Sequence, residues 1–170
     1  MYESWLIANP IPNDSTSCNK DLNGGYGTSD AIGDSIFAKL LAKIKKKSIK
    51  LPVLSLAYIS SILKSKGKNI LYSENYSSCL EIISTQSPEA CLIYGSIVAT
   101  EVELELIRKI RILNDKIIII VVGSFPTKFP SIYSIADCIL LGEPEEFFLH
   151  WDGNLEHFTL NGGTILSQNL

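Results

Sequence analysis

The chain is poor in the residues that usually carry chemistry. Its 2 histidines, His150 and His157, both lie past the last core strand that the pattern predicts. Neither has a serine or cysteine beside it in a nucleophile setting, and no G-x-S-x-G, H-E-x-x-H or G-x-x-x-x-G-K-[ST] occurs. The 4 cysteines, Cys18, Cys79, Cys91 and Cys138, are scattered, with no C-x-x-C or C-x-x-x-C-x-x-C among them. That excludes the common zinc and iron–sulfur ligand spacings. Cys91 and Cys138 fall inside predicted strands, where a free cysteine acts as a small buried hydrophobe. There is no signal peptide and no apolar run near ~20 residues, so no transmembrane segment is expected and the setting reads as a reducing cytoplasm. Positive charge is not in excess: the net charge of −3 argues against a nucleic-acid surface. The one basic cluster, Lys43 to Lys47, ends a predicted helix, where lysines complement the helix dipole.

What is present is a soluble-type composition, 46% hydrophobic and 19% charged over 170 residues. That is one domain's length, enough to bury a core without staples. Ile117 to Val122 is an unbroken β-branched run closed by Gly123. Apolar on both faces, it predicts a central strand of a parallel sheet covered on both sides. Ala136 to Leu141 is a second such run, closed by Gly142. Two loops, 123–127 and 142–145, then leave the carboxyl edge of one sheet, where open α/β sheets bind ligands.

The rest of the chain alternates strand and helix patterns. Trp5 to Ala8 is a first strand, closed by Asn9-Pro10. Residues 11–30, polar and holding Gly24-Gly25-Tyr26-Gly27, form a long loop that can fold over the same edge. Asp30 to Lys47 has helical spacing, with Ile32, Ile36, Phe37, Leu40, Leu41 and Ile44 as a buried face. Pro52 opens a second helix that Gly67 ends. Asn69 to Ser73 is a strand, Cys79 to Ser84 a short helix, and Ala90 to Tyr94 a third strand. Glu101 to Leu113 is a helix capped by Thr100 or a neighbour. A short helix near Pro130 to Ile135 and a last one over Pro144 to Trp151 follow. The tail, with Gly162-Gly163 between apolar flanks, predicts a small hairpin. The pattern implies an α/β fold: a flavodoxin-like (Rossmann-like) five-stranded parallel sheet, order 2-1-3-4-5, with helices on both faces. Residues 1–155 make the domain, and 156–170 a hairpin or linker.

Several residues near the carboxyl edge admit two readings. Glu143, Glu145 and Glu146 suit a helix N-terminus, and Glu143 with Gly142 also suits a pocket wall. Ser96 and Thr100 either cap a helix or offer hydroxyls to a ligand. Gly123 is a turn glycine, or a bare stretch of backbone against which a flat ligand could lie. Gly24-Gly25-Tyr26-Gly27 lies too far from its strand for a dinucleotide fingerprint and reads as a flexible loop.

Three ordered segments resemble the cobalamin (vitamin B12)-binding-like domains that precede the catalytic barrel in radical S-adenosylmethionine proteins. Leu51 to Ile59 (LPVLSLAYI) resembles their P-x-G-L-A-Y-L-A signature. Val121 to Thr127 (VVGSFPT) resembles V-V-G-G-x-x-x-T, and Ala136 to Glu145 (ADCILLGEPE) resembles V-D-x-V-x-x-G-E-G-E. The resemblance spans nearly the whole chain. It implies a module holding cobalamin at the carboxyl edge, with Asn9, Pro10, Ser96, Thr100, Gly123, Ser124, Pro126, Gly142 and Glu143 around it. It further implies a radical S-adenosylmethionine domain in cis, possessing the [4Fe-4S] cluster and S-adenosylmethionine that this chain has no thiolate triad to hold. The chemistry, such as methyl transfer, would lie in that domain. The chain would then be the N-terminal part of a larger protein or a stand-alone relative.

This sequence departs from the family at two points. Asp30 stands where the lower-ligand histidine of D-x-H-x-x-G would fall, so a corrinoid is expected without a protein imidazole on cobalt. Ser124 replaces a glycine, and its hydroxymethyl narrows the approach of a macrocycle. Both features also fit an alternative: a degenerate flavodoxin-like domain with a structural or protein-interaction role and no cofactor. A mononucleotide binder is disfavoured because no phosphate loop follows the first strand.

Overall fold

The computed structural model describes residues 4–12, 17–48, 52–159 and 164–166. Its principal sheet is parallel throughout. Strands β1 (Ser4–Ala8), β4 (Asn69–Ser73), β5 (Ala90–Tyr94), β6 (Ile118–Val122) and β7 (Cys138–Leu141) run in the order β4-β1-β5-β6-β7. This is the flavodoxin-like 2-1-3-4-5 arrangement that the strand–helix alternation implied. Registers such as Leu6 with Cys91, and Leu92 with Ile120, set the strand ends level. The loops after β1, β5, β6 and β7 therefore leave from one edge.

Residue alternation on β6 divides the core into two layers. Ile120 and Val122 join Trp5, Ile7, Leu92 and Leu140 on one face, beneath α2 (Leu54–Ser65) and α6 (Pro144–His150). Ile119 and Val121 join Leu6, Cys91 and Ile93 on the other, beneath α3 (Tyr76–Gln86) and α4 (Thr100–Leu113). The central strand was legible as such: Ile119 to Val122 are fully buried, and Ile118 is half-buried. Trp5, Phe148, Trp151 and Phe158 form one aromatic cluster, with Trp5 and Trp151 centroids 5.3 Å apart. It fastens the C-terminal segment to the first strand.

Five sequence expectations change. The tail does not show a hairpin among the described residues: β8 (Thr164–Leu166) pairs parallel with β7 and adds a sixth strand. The Gly162-Gly163 turn lies outside the described residues. The long loop contains an antiparallel ribbon, β2 (Ser17–Asn19) with β3 (Thr28–Asp30). Because Thr28–Asp30 is spent on that ribbon, α1 begins only at Ile36 and runs to Ser48. The apolar residues expected to be its buried face are exposed, Ile36 by 91% and Phe37 by 70%, while Ala42 on the opposite side is buried. Finally, Thr100 does not cap α4; its Oγ1 donates to the Ser96 carbonyl at 2.7 Å.

Candidate functional site

The carboxyl edge is built around a strap, residues 20–27, between the two ribbon strands. Asn23, Gly24, Gly25 and Gly27 all take positive φ, between 60° and 86°. That left-handed run curls the backbone down onto β5 and β6. A Cβ on Gly25 would stand 2.6 Å from Ser124 Oγ and 3.2 Å from the Tyr94 hydroxyl. Only glycine lets the strap lie this close.

Its anchor is Lys20, whose side chain is 1% exposed. The ammonium donates to the Tyr94 carbonyl at 2.9 Å and pairs with Glu103 at 2.7 Å. Glu103, on the first turn of α4, has no exposure. It also accepts from the Ser96 amide at 3.1 Å, the Ser96 hydroxyl at 3.2 Å and the Tyr133 hydroxyl. Burial first, and the adjoining Glu103 carboxylate second, raise the Tyr133 pKa, so the phenol stays a donor. The pair is paid for by this complete set of partners, the condition under which a buried ion pair is tolerated.

Between the strap and the loops after β6 and β7 lies a cleft of about 290 Å³. Of the residues assigned to a pocket by resemblance, Gly123, Ser124, Gly142 and Glu143 line it. Thr127 holds those two loops together: its Oγ1 donates to the Gly123 carbonyl at 2.8 Å and accepts from the Gly142 amide at 3.1 Å. The remaining assigned residues sit elsewhere. Ser96 is fully buried and committed to Glu103. Thr100 lines a separate surface hollow beside Ile97 and Glu101. Asn9 and Pro10 are buried at the end of β1, with the Asn9 backbone N–H donating to the Ser73 carbonyl. Pro126 is buried, packed where a side chain on Gly95 would point.

Gly123 borders the cleft, but its missing side chain serves the protein. At φ +123°, a Cβ there would meet the Gly95 carbonyl at 2.9 Å and the Tyr94 ring at 3.4 Å. The space that a side chain at this position would take is filled by Gly95 and Tyr94.

Gly24 and Gly25, read from sequence as loop glycines, and Glu145, read as a helix N-terminal charge, also line the cleft, as do Asp21 and Tyr94, which were not picked out from sequence. The glycine string in a loop leaving β1 was the available signal for the strap. Nothing in the spacing marked Tyr94, the last residue of an apolar strand. Its phenol is pushed up to about 12 by burial first, then by Asp21, Glu145, Glu143 and Glu103. Three carboxylates, Asp21, Glu143 and Glu145, line the cleft, a setting that disfavours an anionic phosphate there.

With the strap down, these residues do not fit a corrin ring. The cleft is at the lower limit of the roughly 300–1,000 Å³ typical of small-molecule sites, and Gly25 occupies the approach to Ser124 and Tyr94. No cluster of three or more His, Cys, Asp or Glu able to hold a metal ion exists among the described residues. No helix among them is long and apolar enough to cross a membrane. The fold and edge define a flavodoxin-like α/β domain whose carboxyl edge is crossed by a strap. No protein-family description matches the chain, and no curated protein or solved structure matches it significantly.

Proposed function

We propose that this chain is a ligand-binding module working at the carboxyl edge of its sheet, with cobalamin the ligand that the sequence resemblance implies. The observation that carries the reading is the convergence of the strap with Gly123-Ser124 and Gly142-Glu143 on one cleft, in a 2-1-3-4-5 sheet. A corrin seats only if residues 21–25 lift away from Ser124 and Tyr94. The glycines of the strap allow that motion, and Lys20 stays behind as its hinge. The module would present the corrinoid to a radical S-adenosylmethionine domain in cis, where any catalysis would lie, in a cytoplasmic protein.

The test is to mix the folded chain with hydroxocobalamin, desalt, and record the visible spectrum. Retained corrin absorbance is expected, with faster amide hydrogen exchange in residues 21–25 than in the free chain. His150→Ala and His157→Ala should leave that spectrum unchanged. Absence of corrin absorbance from a chain that is folded by circular dichroism, and from any longer protein containing it, overturns the reading.

A second reading, a structural or interaction domain without cofactor, is favoured by one specific contact. Gly25 packs against Ser124 and Tyr94 as a core glycine would. If that contact is permanent, the strap is a plug and the edge has no ligand to admit.

A further inference from the structure

Helix α1 is mounted with its apolar side outward. Ser35 starts it, accepting from the Ala38 amide at 3.1 Å. One side faces the protein: Ala42 is buried, Ala38 half-buried, Lys45 pairs with Asp30 and Lys46 donates to the Pro12 carbonyl at 2.6 Å. By the 3.6-residue repeat, Ile36, Phe37, Leu40, Leu41 and Ile44 lie on the opposite side. All five are exposed, by 41% to 91%. A contiguous exposed apolar ridge of this kind marks a binding surface.

Charge selects what covers it. The helix IFAKLLAKIKKKS carries five lysines and no acidic residue, in a chain whose net charge is −3. Lys45 and Lys46 are turned to the protein, whereas Lys39 and Lys43 are exposed. These two stand along one border of the ridge, beside Ile36 and Leu40. A second copy would bring the same lysines of two helices together, a like-charge contact that opposes dimer formation. An anionic phospholipid surface complements both features. Apolar side chains enter the acyl boundary, and bordering lysines reach the headgroups along their aliphatic stems. The helix is about 20 Å long.

We propose that α1 docks this protein on anionic phospholipid bilayers, lying in the interface plane. The attachment does not depend on the identity of the edge ligand.

The test is co-sedimentation of the full chain with vesicles of phosphatidylcholine alone or with one-quarter phosphatidylglycerol. Binding is expected to the anionic vesicles, to weaken with added salt, and to be at least tenfold lower on neutral ones. Each lysine near an anionic surface contributes about fivefold in affinity, so K39Q/K43Q should lose roughly 25-fold. Phe37→Ser with Leu40→Ser, both at exposed positions, should abolish binding while the circular dichroism and unfolding midpoint stay unchanged. Leu54→Ser, an exposed position on α2, should have no effect. No binding, equal binding to both vesicle types, or binding indifferent to the α1 variants overturns the proposal. So does a lipid-free dimer, or capture of an acidic peptide without lipid binding, that Phe37→Ser with Leu40→Ser removes.

Discussion

Replacing Lys20 by methionine tests whether the strap is fixed by a buried charge pair. Methionine keeps the unbranched stem and removes the ammonium. Glu103 would then keep the Ser96 amide and hydroxyl and the Tyr133 hydroxyl, all neutral donors. Its carboxylate would remain without any exposure to water, and the Tyr94 carbonyl would lose the donor at 2.9 Å. Removing one partner of such a pair costs about 3–5 kcal/mol. For a chain of this size that lowers the melting midpoint by roughly 6–20 °C, since 1 kcal/mol moves it by about 2–4 °C. Glu103→Gln should cost a comparable amount by stranding the lysine. Combining the two should cost less than their sum, because neither charge is then left alone. Urea unfolding of the four proteins, followed by circular dichroism, measures all three quantities. A Lys20→Met loss below ~1 kcal/mol, or strict additivity in the double variant, would show that the pair is not the anchor.

Four further outcomes follow from the same structure. Ile120→Ala, at a fully buried position in the central strand, should cost about 2–5 kcal/mol in urea unfolding; a loss under ~0.5 kcal/mol would place the strand at an edge. Gly123→Leu should lower stability as well as any ligand binding, since the new side chain runs into Gly95 and Tyr94; an unfolding midpoint equal to the parent's would contradict that packing. Burial raises the Cys138 thiol from 9.0 to about 12, and Tyr94 rises from 10.0 to about 12. The stability these neutral groups contribute is complete below their unfolded pKa values and is lost as pH rises through the folded ones. Stability should therefore fall between about pH 9 and 12, and Cys138→Ala should flatten part of that slope; an unchanged slope refutes the assignment. At pH 8, alkylation of the native chain should reach half-exposed Cys18 well before Cys79, Cys91 and Cys138, which are buried; equal rates would mean the core opens readily.

The sheet was legible because its signals are local. A β-branched run such as Ile117 to Val122 carries strand propensity, two-sided burial and a terminating glycine within a few residues. Gly67 at φ +82° ends α2 for an equally local reason. The sixth strand was missed because Thr164–Leu166 is short and its partner, Ile139 to Leu141, is fixed only by tertiary pairing. At the site, Gly123, Ser124, Gly142 and Glu143 were recoverable from strand ends followed by glycine. Asp21 and Tyr94 were not, because their proximity depends on how the strap folds back. Lys20 and Glu103 lie far apart in sequence, and nothing at either position announces a charge with no solvent.

The error over α1 has a different origin. Helical periodicity identifies a face that avoids water, but it does not identify what lies against that face. In α2 the same pattern put Leu56, Ile59 and Leu63 on the sheet. In α1 the attachment to the body is made by Ala42, Lys45 and Lys46, and the apolar ridge is left outside. A helix joined to its domain through alanine and the ends of lysine chains gains little burial from that contact. Its larger apolar side can lower the free energy only by meeting something else. The pattern was therefore read correctly as amphipathic and assigned to the wrong neighbour. Lys43, read from sequence as serving only the helix dipole, and Lys39 one turn before it are the feature that bears on the two assignments. Lys39 and Lys43 are exposed at the border of that apolar side, where a helix on an anionic interface would set its lysines against the headgroups.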